Sequence, residues 1–183
     1  MPSIIPGTLL VAEPFLKDPN FLRTVVLLCE HGSDGSVGFV LNKRHKQQLG
    51  ELVPELQNKK WPLFNGGPVQ TDSLHFIHQY PRLIPGSREI TKGIWWGGDF
   101  STVINLLKED ALEPSRLRFF LGYSGWEQGQ LNEELQQNTW LITKAKTSLV
   151  FYKKPQEIWS ETIKSMGDDY AMMVNFPIDP QLN

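Results

Sequence analysis

A single cysteine, Cys29, stands in a chain of 183 residues. With no second thiol, an internal disulfide framework and a four-cysteine zinc site are both excluded. Long apolar runs are missing too, since none approaches the ~18 residues needed to cross a bilayer. The opening stretch MPSIIPGTLLVAEP has no basic leader, carries Pro2 and Pro6, and meets Glu13 before an apolar run of signal length accumulates. The expected location is therefore the cytoplasm. Neither sign of charge dominates: 18 Lys and Arg stand against 20 Asp and Glu, a net −2 that exerts no general pull on phosphate backbones. The longest basic cluster, Lys43-Arg44-His45-Lys46, reads as a solvated loop. Walker A and GxGxxG signatures are absent, as is a helix-turn-helix pattern, so the standard nucleotide and DNA readers fail. No linker, repeat or low-complexity tract divides the chain, which is expected to form one domain over residues 1–183.

What is present is packing material. A hydrophobic fraction of 40%, with six Trp and ten Phe, suits a globular core. GTLLVAEP (7–14), RTVVLLCEH (23–31) and SVGFVLNK (36–43) read as strands, the last two forming a hairpin around HGSDGS. LGELVPEL (49–56) reads as a short helix that Pro54 ends, and WPLFNGGPV (61–69) as a brief strand closed by a Gly-Gly-Pro turn. In SLHFIHQY (73–80), period-two alternation puts Leu74, Phe76 and His78 on one face and His75, Ile77 and Gln79 on the other. REITKGIWWGG (88–98) predicts one strand or a pair. Asp99 then caps a helix with Phe100, Val103, Ile104 and Leu107 on one side. A strand over 116–123, a glycine turn, a helix over 129–137 and a strand over 140–145 follow. The last helix, 155–166, starts at Pro155 and presents Ile158, Trp159, Thr162, Ile163 and Met166. Many short strands with helices concentrated in the second half define an α+β class.

Several groupings invite a chemical reading. Gly122-Tyr123-Ser124-Gly125-Trp126 resembles a serine elbow, but its fifth position is Trp, and all four histidines (31, 45, 75, 78) lie upstream, where the hydrolase order puts His last. His75 and His78 fall on opposite faces of a strand and cannot share an ion. Cys29 and His31 share a face at i, i+2 with Glu30 between them; two ligands make no zinc site, but a redox or catalytic thiol beside an imidazole remains an alternative to a core thiol. Glycine and tryptophan are the most distinctive residues, in Asn65-Gly66-Gly67-Pro68, Trp95-Trp96-Gly97-Gly98 and Gly122 to Trp126. They predict either corners of a strongly bent sheet or a groove of exposed backbone amides.

The same segments are similar to the AlgH/YqgE family of bacterial proteins. The likeness rests on Gly7-x-Leu9-Leu10-x-Ala12-x-Pro14, Asp18-Pro19-Asn20-Phe21-x-Arg23-Thr24-Val25, Cys29-Glu30-His31 and Gly38-x-Val40-Leu41-Asn42. It continues through Gly66-Gly67-Pro68-Val69, Gly122-Tyr123-x-Gly125-Trp126-x-x-Gly129-Gln130-Leu131-x-x-Glu134-Leu135, and Trp140. The resemblance implies a bent, bifurcated mixed sheet forming a pseudo-barrel with three or four packed helices, and it implies no activity. Some members are labelled transcriptional regulators, a role that the charge balance argues against as direct DNA binding. The family usually has Ala where this chain has Ser124, which makes Ser124 a turn residue, and the basic stretch after Asn42 departs from the family pattern. The expectation is a non-catalytic cytoplasmic module, without cofactor or metal, that binds a protein or small ligand. Arg23, Thr24, Glu30, His31 and Asn42 are its candidate residues, converging with Gly66, Gly67 and Trp126; the alternatives are hydrogen-bonded sheet corners, or an enzyme or redox sensor built on Cys29 and His31.

Overall fold

The apolar runs form strands as their periodicity predicts, and the expected hairpin of the second and third is present. The computed structural model describes residues 3–179, and in it Thr8–Ala12 (β1), Val25–Gly32 (β2) and Gly35–Val40 (β3) lie side by side and antiparallel, with Trp140–Lys144 (β10) on the outer side of β1. Arg44–Gln48 (β4) and Pro62–Asn65 (β5) pair antiparallel, and Val69–His78 (β6), Arg88–Thr91 (β7) and Ile94–Trp96 (β8) continue the sheet. Leu117–Trp126 (β9) joins the two halves, giving the order β10-β1-β2-β3-β9-β6-β8-β7, with β4 and β5 branching from β9. One pairing, β5 with β9, is parallel, so the sheet is mixed as well as bifurcated.

Among the described residues, six α-helical segments pack around this sheet: Leu49–Leu52 (α1), Phe100–Lys108 (α2), Gln130–Gln136 (α3), Thr147–Val150 (α4), Ile158–Ser165 (α5) and Asp168–Ala171 (α6). The four anticipated helices are α1, α2, α3 and α5; α4 and α6 are single turns too short to leave a periodic signal. Asp99 caps α2 by accepting from the Thr102 N–H at 3.0 Å, and Val103 and Leu107 are buried. Three cores result. The curled sheet encloses Leu9, Leu27, Phe39, Phe64, Ile77 and Phe120, and α5 closes this interior with Ile158, Trp159 and Ile163. On the outer faces, α1 and α2 cover Phe76, Leu117 and Phe119, while α3 covers Leu28, Trp126 and Trp140. Within β6, Phe76 belongs to an outer core and Ile77 to the interior, the alternation read from the sequence.

Two local expectations need correction. Lys43–Lys46 is no free loop: Arg44 opens β4, and its guanidinium lies 5.7 Å from the centre of the Phe64 ring across the ladder. Nor is Gly122–Trp126 a turn after a strand. Gly122 adopts φ +67, and the strand bends there but continues, so that Ser124, Gly125 and Trp126 pair with Gly38, Val37 and Ser36.

That bend accompanies a change of partner. One edge of β9 pairs with β6 from Leu117 to Tyr123; the other pairs first with β5 over Phe119–Leu121, then with β3. Since β5 and β6 lie on opposite edges, the connecting Gly66-Gly67-Pro68 must cross the backbone of β9. A Cβ at Gly66 would lie 2.3 Å from the Gly122 carbonyl oxygen, one at Gly67 2.2 Å from the Tyr123 carbonyl, and one at Gly122 2.7 Å from the Gly67 oxygen. Only glycine permits such an approach. Gly122→Ala is expected to lower stability by at least about 2 kcal/mol in urea unfolding, through both contact and left-handed strain. Gly129→Ala, with φ +82 but nothing within 4 Å of the added carbon, is expected to cost only about 1 kcal/mol.

Candidate functional site

Strand β2 carries Cys29, Glu30 and His31, with Arg23 and Thr24 just before it, and its two ends differ in kind. At its start, Arg23 has φ +49, and its carbonyl accepts from the Asn42 amide at 2.9 Å. The Asn42 Oδ1 accepts from the Val25 N–H at 3.0 Å, and Thr24 donates its hydroxyl to the Phe21 carbonyl at 2.8 Å. The Arg23 guanidinium lies 4.7 Å from the Trp159 ring centre and donates to the Phe176 carbonyl. Here Thr24 and Asn42 tie the sheet corner to itself, while Arg23 links it to the C-terminal segment with its Nε buried and without an acceptor.

At the far end the arrangement opens. A β-bulge separates the pairs Leu28↔Gly38 and Glu30↔Val37, leaving Cys29 as the extra residue. The slip reverses the alternation, so Cys29 and His31 do not share a face as the unbroken strand predicted. Cys29 packs in the interior with Leu27 and Phe39, whereas the His31 ring bonds to the Ser36 hydroxyl at 2.8 Å. Glu30 emerges half-exposed and pairs with Arg88 of β7 at 2.9 Å; the Arg88 guanidinium also lies 4.8 Å from the Trp96 ring centre. A cleft of about 450 Å³ opens here, bordered by Pro6, Cys29, Glu30, His31, Gly35 and Arg88. A second depression of about 490 Å³, lined by Glu30, Ser36, Tyr123 and Trp126, adjoins it.

The structure therefore brings Glu30, His31 and Trp126 to one end of the β2–β3 hairpin and holds Arg23, Thr24 and Asn42 at the other, so the expected convergence of all of them does not occur. Gly66 and Gly67 lie at the crossing over β9, where the buried Ser124 hydroxyl donates to the Gly66 carbonyl at 3.0 Å. Ser124 is thus placed to hold the crossing and has no solvent access for attack. The Trp126 indole donates to Glu134 at 2.9 Å, and Trp140 donates to the same carboxylate oxygen at 2.7 Å. Arg88 escaped the sequence reading because 58 positions separate it from Glu30. Arg118 escaped too, although a lone cation inside Leu117–Leu121 is a visible irregularity: burial depresses its pKa to about 10, with the Arg44 charge adding to the effect.

Burial pushes the Cys29 thiol pKa well upward, against a smaller lowering by Arg88. A redox sensor needs the reverse, a stabilised thiolate with access to solvent. His75 and His78 are both held below the ordinary histidine value by burial, and they lie apart, as the alternation predicts. His75 packs 5.1 Å from Phe39, while the His78 Nδ1 accepts from the Tyr80 N–H at 3.0 Å and its Nε2 donates to the Gly97 carbonyl at 2.9 Å.

A strongly curled sheet packed with helices places the chain among α+β half-barrel proteins. The chain belongs to the AlgH-like family, whose profile matches residues 9–171. It is 42% identical over 177 residues to a UPF0301 protein of Chlorobium phaeobacteroides, covering 97% of this chain and 95% of that one. A UPF0301 protein of Cytophaga hutchinsonii is 42% identical over 178 residues, covering 97% and 98%. Among solved structures, the AlgH protein from Pseudomonas aeruginosa superposes with a TM-score of 0.74 at 28% identity, over 97% of this chain and 96% of that one. A Corynebacterium diphtheriae protein shares the fold with a TM-score of 0.81 at 22% identity, covering 95% and 93%.

Two outcomes follow from the titrating groups. Since the folded pKa of His78 lies below its unfolded value of 6.5, its contribution to stability is full above that value and is lost as pH falls through the folded one. The urea midpoint is expected to fall between pH 7 and pH 5, and His78→Leu, which cannot titrate, to show a shallower fall. A thiol reagent such as dithionitrobenzoate is expected to label Cys29 only as fast as the chain unfolds; rapid native-state labelling would contradict the burial.

Proposed function

We propose that this protein is a non-catalytic cytoplasmic binding module whose ligand, a small molecule or a segment of a partner protein, occupies the cleft beside Glu30, His31 and Arg88. The observation that carries this reading is the contrast between the two ends of β2. At the corner, Arg23, Thr24 and Asn42 bond to backbone; at the cleft, Glu30 and Arg88 remain half-exposed, and the turn from Gly32 to Gly35 borders the opening. Convergent polar groups bordering a concave surface are what ligand recognition requires.

Direct DNA binding finds little support. Glu30, Asp34 and Glu89 line the cleft against Arg88, so its charge balance repels phosphate backbone, and α2 leads into a strand where a second helix of a helix-turn-helix would stand. The enzymatic or redox alternative is weakened by the buried thiol and by its separation from the His31 face.

The test is a thermal-shift screen against nucleotides, amino acids and common metabolites, with hits mapped by amide chemical-shift changes. A ligand at one hundred times its dissociation constant adds about 2.7 kcal/mol, which raises the midpoint by roughly 5–10 °C for a chain of this size. Glu30→Gln and Arg88→Gln, which disturb a half-exposed ion pair worth at most about 1 kcal/mol, are expected to leave the fold intact and remove the shift. A hit that stabilises both variants as well as the parent would overturn this assignment of the site.

A further inference from the structure

A cation buried in this fold has an environment that structural roles leave unexplained. Arg118 sits in β9 between Leu117 and Phe119, both of the outer core beneath α1 and α2, and alternation turns it toward the interior with Phe120. Its residue is only 5% exposed. One nitrogen, Nη2, donates to the Tyr152 carbonyl at 2.6 Å, and the guanidinium lies 5.0 Å from the Phe64 ring centre. Its Nε and Nη1 are buried without an acceptor. The side-chain charge that bears on Arg118 is itself positive: Arg44, whose guanidinium lies against the same ring. Exposed Lys153 directly follows Tyr152 in the chain.

Burying an ionised group away from an opposite charge is strongly unfavourable, and buried N–H donors without acceptors add to that cost. Two guanidiniums gathered at one phenyl ring therefore define a place where a bound dianion would satisfy donors and balance charge together. Guanidinium is the side chain best matched to phosphate oxygens, through hydrogen bonds to a delocalised cation.

We propose that Arg118 and Arg44 form a binding site for a compact dianionic oxyanion, inorganic phosphate or the phosphoryl group of a small phosphate monoester. Arg118 supplies the buried donors. Arg44, exposed and carried on the outermost strand β4, supplies the second charge and opens the way in by rotating off the Phe64 ring, a side-chain motion that is fast at an exposed position. The site stands apart from the Glu30 cleft. Arg118 lies at the first end of β9, beside Leu117, whereas Tyr123 and Trp126, which border the depression next to that cleft, lie toward its last residue.

The experiment titrates the full chain with inorganic phosphate at constant pH and ionic strength, following the thermal midpoint and the heat of binding. Phosphate is expected to raise the midpoint saturably where chloride at equal ionic strength does not. Arg44→Gln is expected to weaken apparent phosphate affinity about tenfold without loss of fold, and Arg118→Met, which keeps the volume and removes the charge, to abolish the response. Should Arg118→Met fail to fold, Arg44→Gln alone decides the matter. Glu30→Gln and Arg88→Gln are expected to leave the phosphate response unchanged, which separates this site from the cleft. Parallel titrations with glucose 6-phosphate and adenosine 5′-monophosphate distinguish the sources: tighter binding than phosphate assigns an organic phosphoryl group, and weaker or absent binding assigns the free anion. A response equalled by chloride, or one that Arg44→Gln leaves intact, would overturn the proposal.

Discussion

The fold depends on one backbone crossing. Gly66 and Gly67 pass over β9 at Gly122, close enough that none of the three positions has room for a Cβ. A strand has two edges, and β9 must serve β6 on one and both β5 and β3 on the other. The crossing lets a single segment supply the fifth and sixth strands to opposite edges, and the Gly66 carbonyl, accepting from the Val40 N–H at 2.9 Å and the Ser124 hydroxyl at 3.0 Å, locks the third strand to the same point. Bifurcation of the sheet, and with it the enclosed interior, follows from this contact.

Around that interior, polar chemistry divides into groups the fold uses and groups it leaves available. Glu134 receives two indole N–H groups, while Asn42 bridges the Arg23 carbonyl and the Val25 amide; both are committed to holding elements together. Glu30 and Arg88 meet only at the surface, and the bulge at Cys29 places Glu30 there by breaking the alternation that would have carried it across the sheet. Arg118 is a third kind, buried yet incompletely partnered. These distinctions follow from burial and hydrogen-bond partners rather than from residue type.

Much of this could be read along the chain. The α+β class, the β2–β3 hairpin, the capped helix after Asp99 and the two faces of the sixth strand all rest on local periodicity and turn chemistry, and all stand in the structure. Of the two readings of the glycine clusters, sheet corners or a groove of exposed backbone amides, Gly66, Gly67 and Gly122 answer to the first, packed against backbone where the strands cross. The candidate site was legible only in part. Glu30 and His31 lie at the cleft, but Arg23, Thr24 and Asn42 do not join them, because a shared strand separates its two ends by its full length. The strand character of Arg44–Gln48 was hidden by its polarity, which fits an exposed outer strand as well as a loop.

By itself, the sequence determined which segments would bury which faces, because the spacing of apolar side chains encodes the solvent-facing side of a helix or strand directly. Tertiary structure alone decided that β9 would change partners at Gly122, that Cys29 would bulge, that Arg88 would reach Glu30, and that Arg44 and Arg118 would share a ring. The reason is that strand pairing is made by backbone groups nearly every residue carries, so its partners and register emerge only when distant segments compete for the same edges.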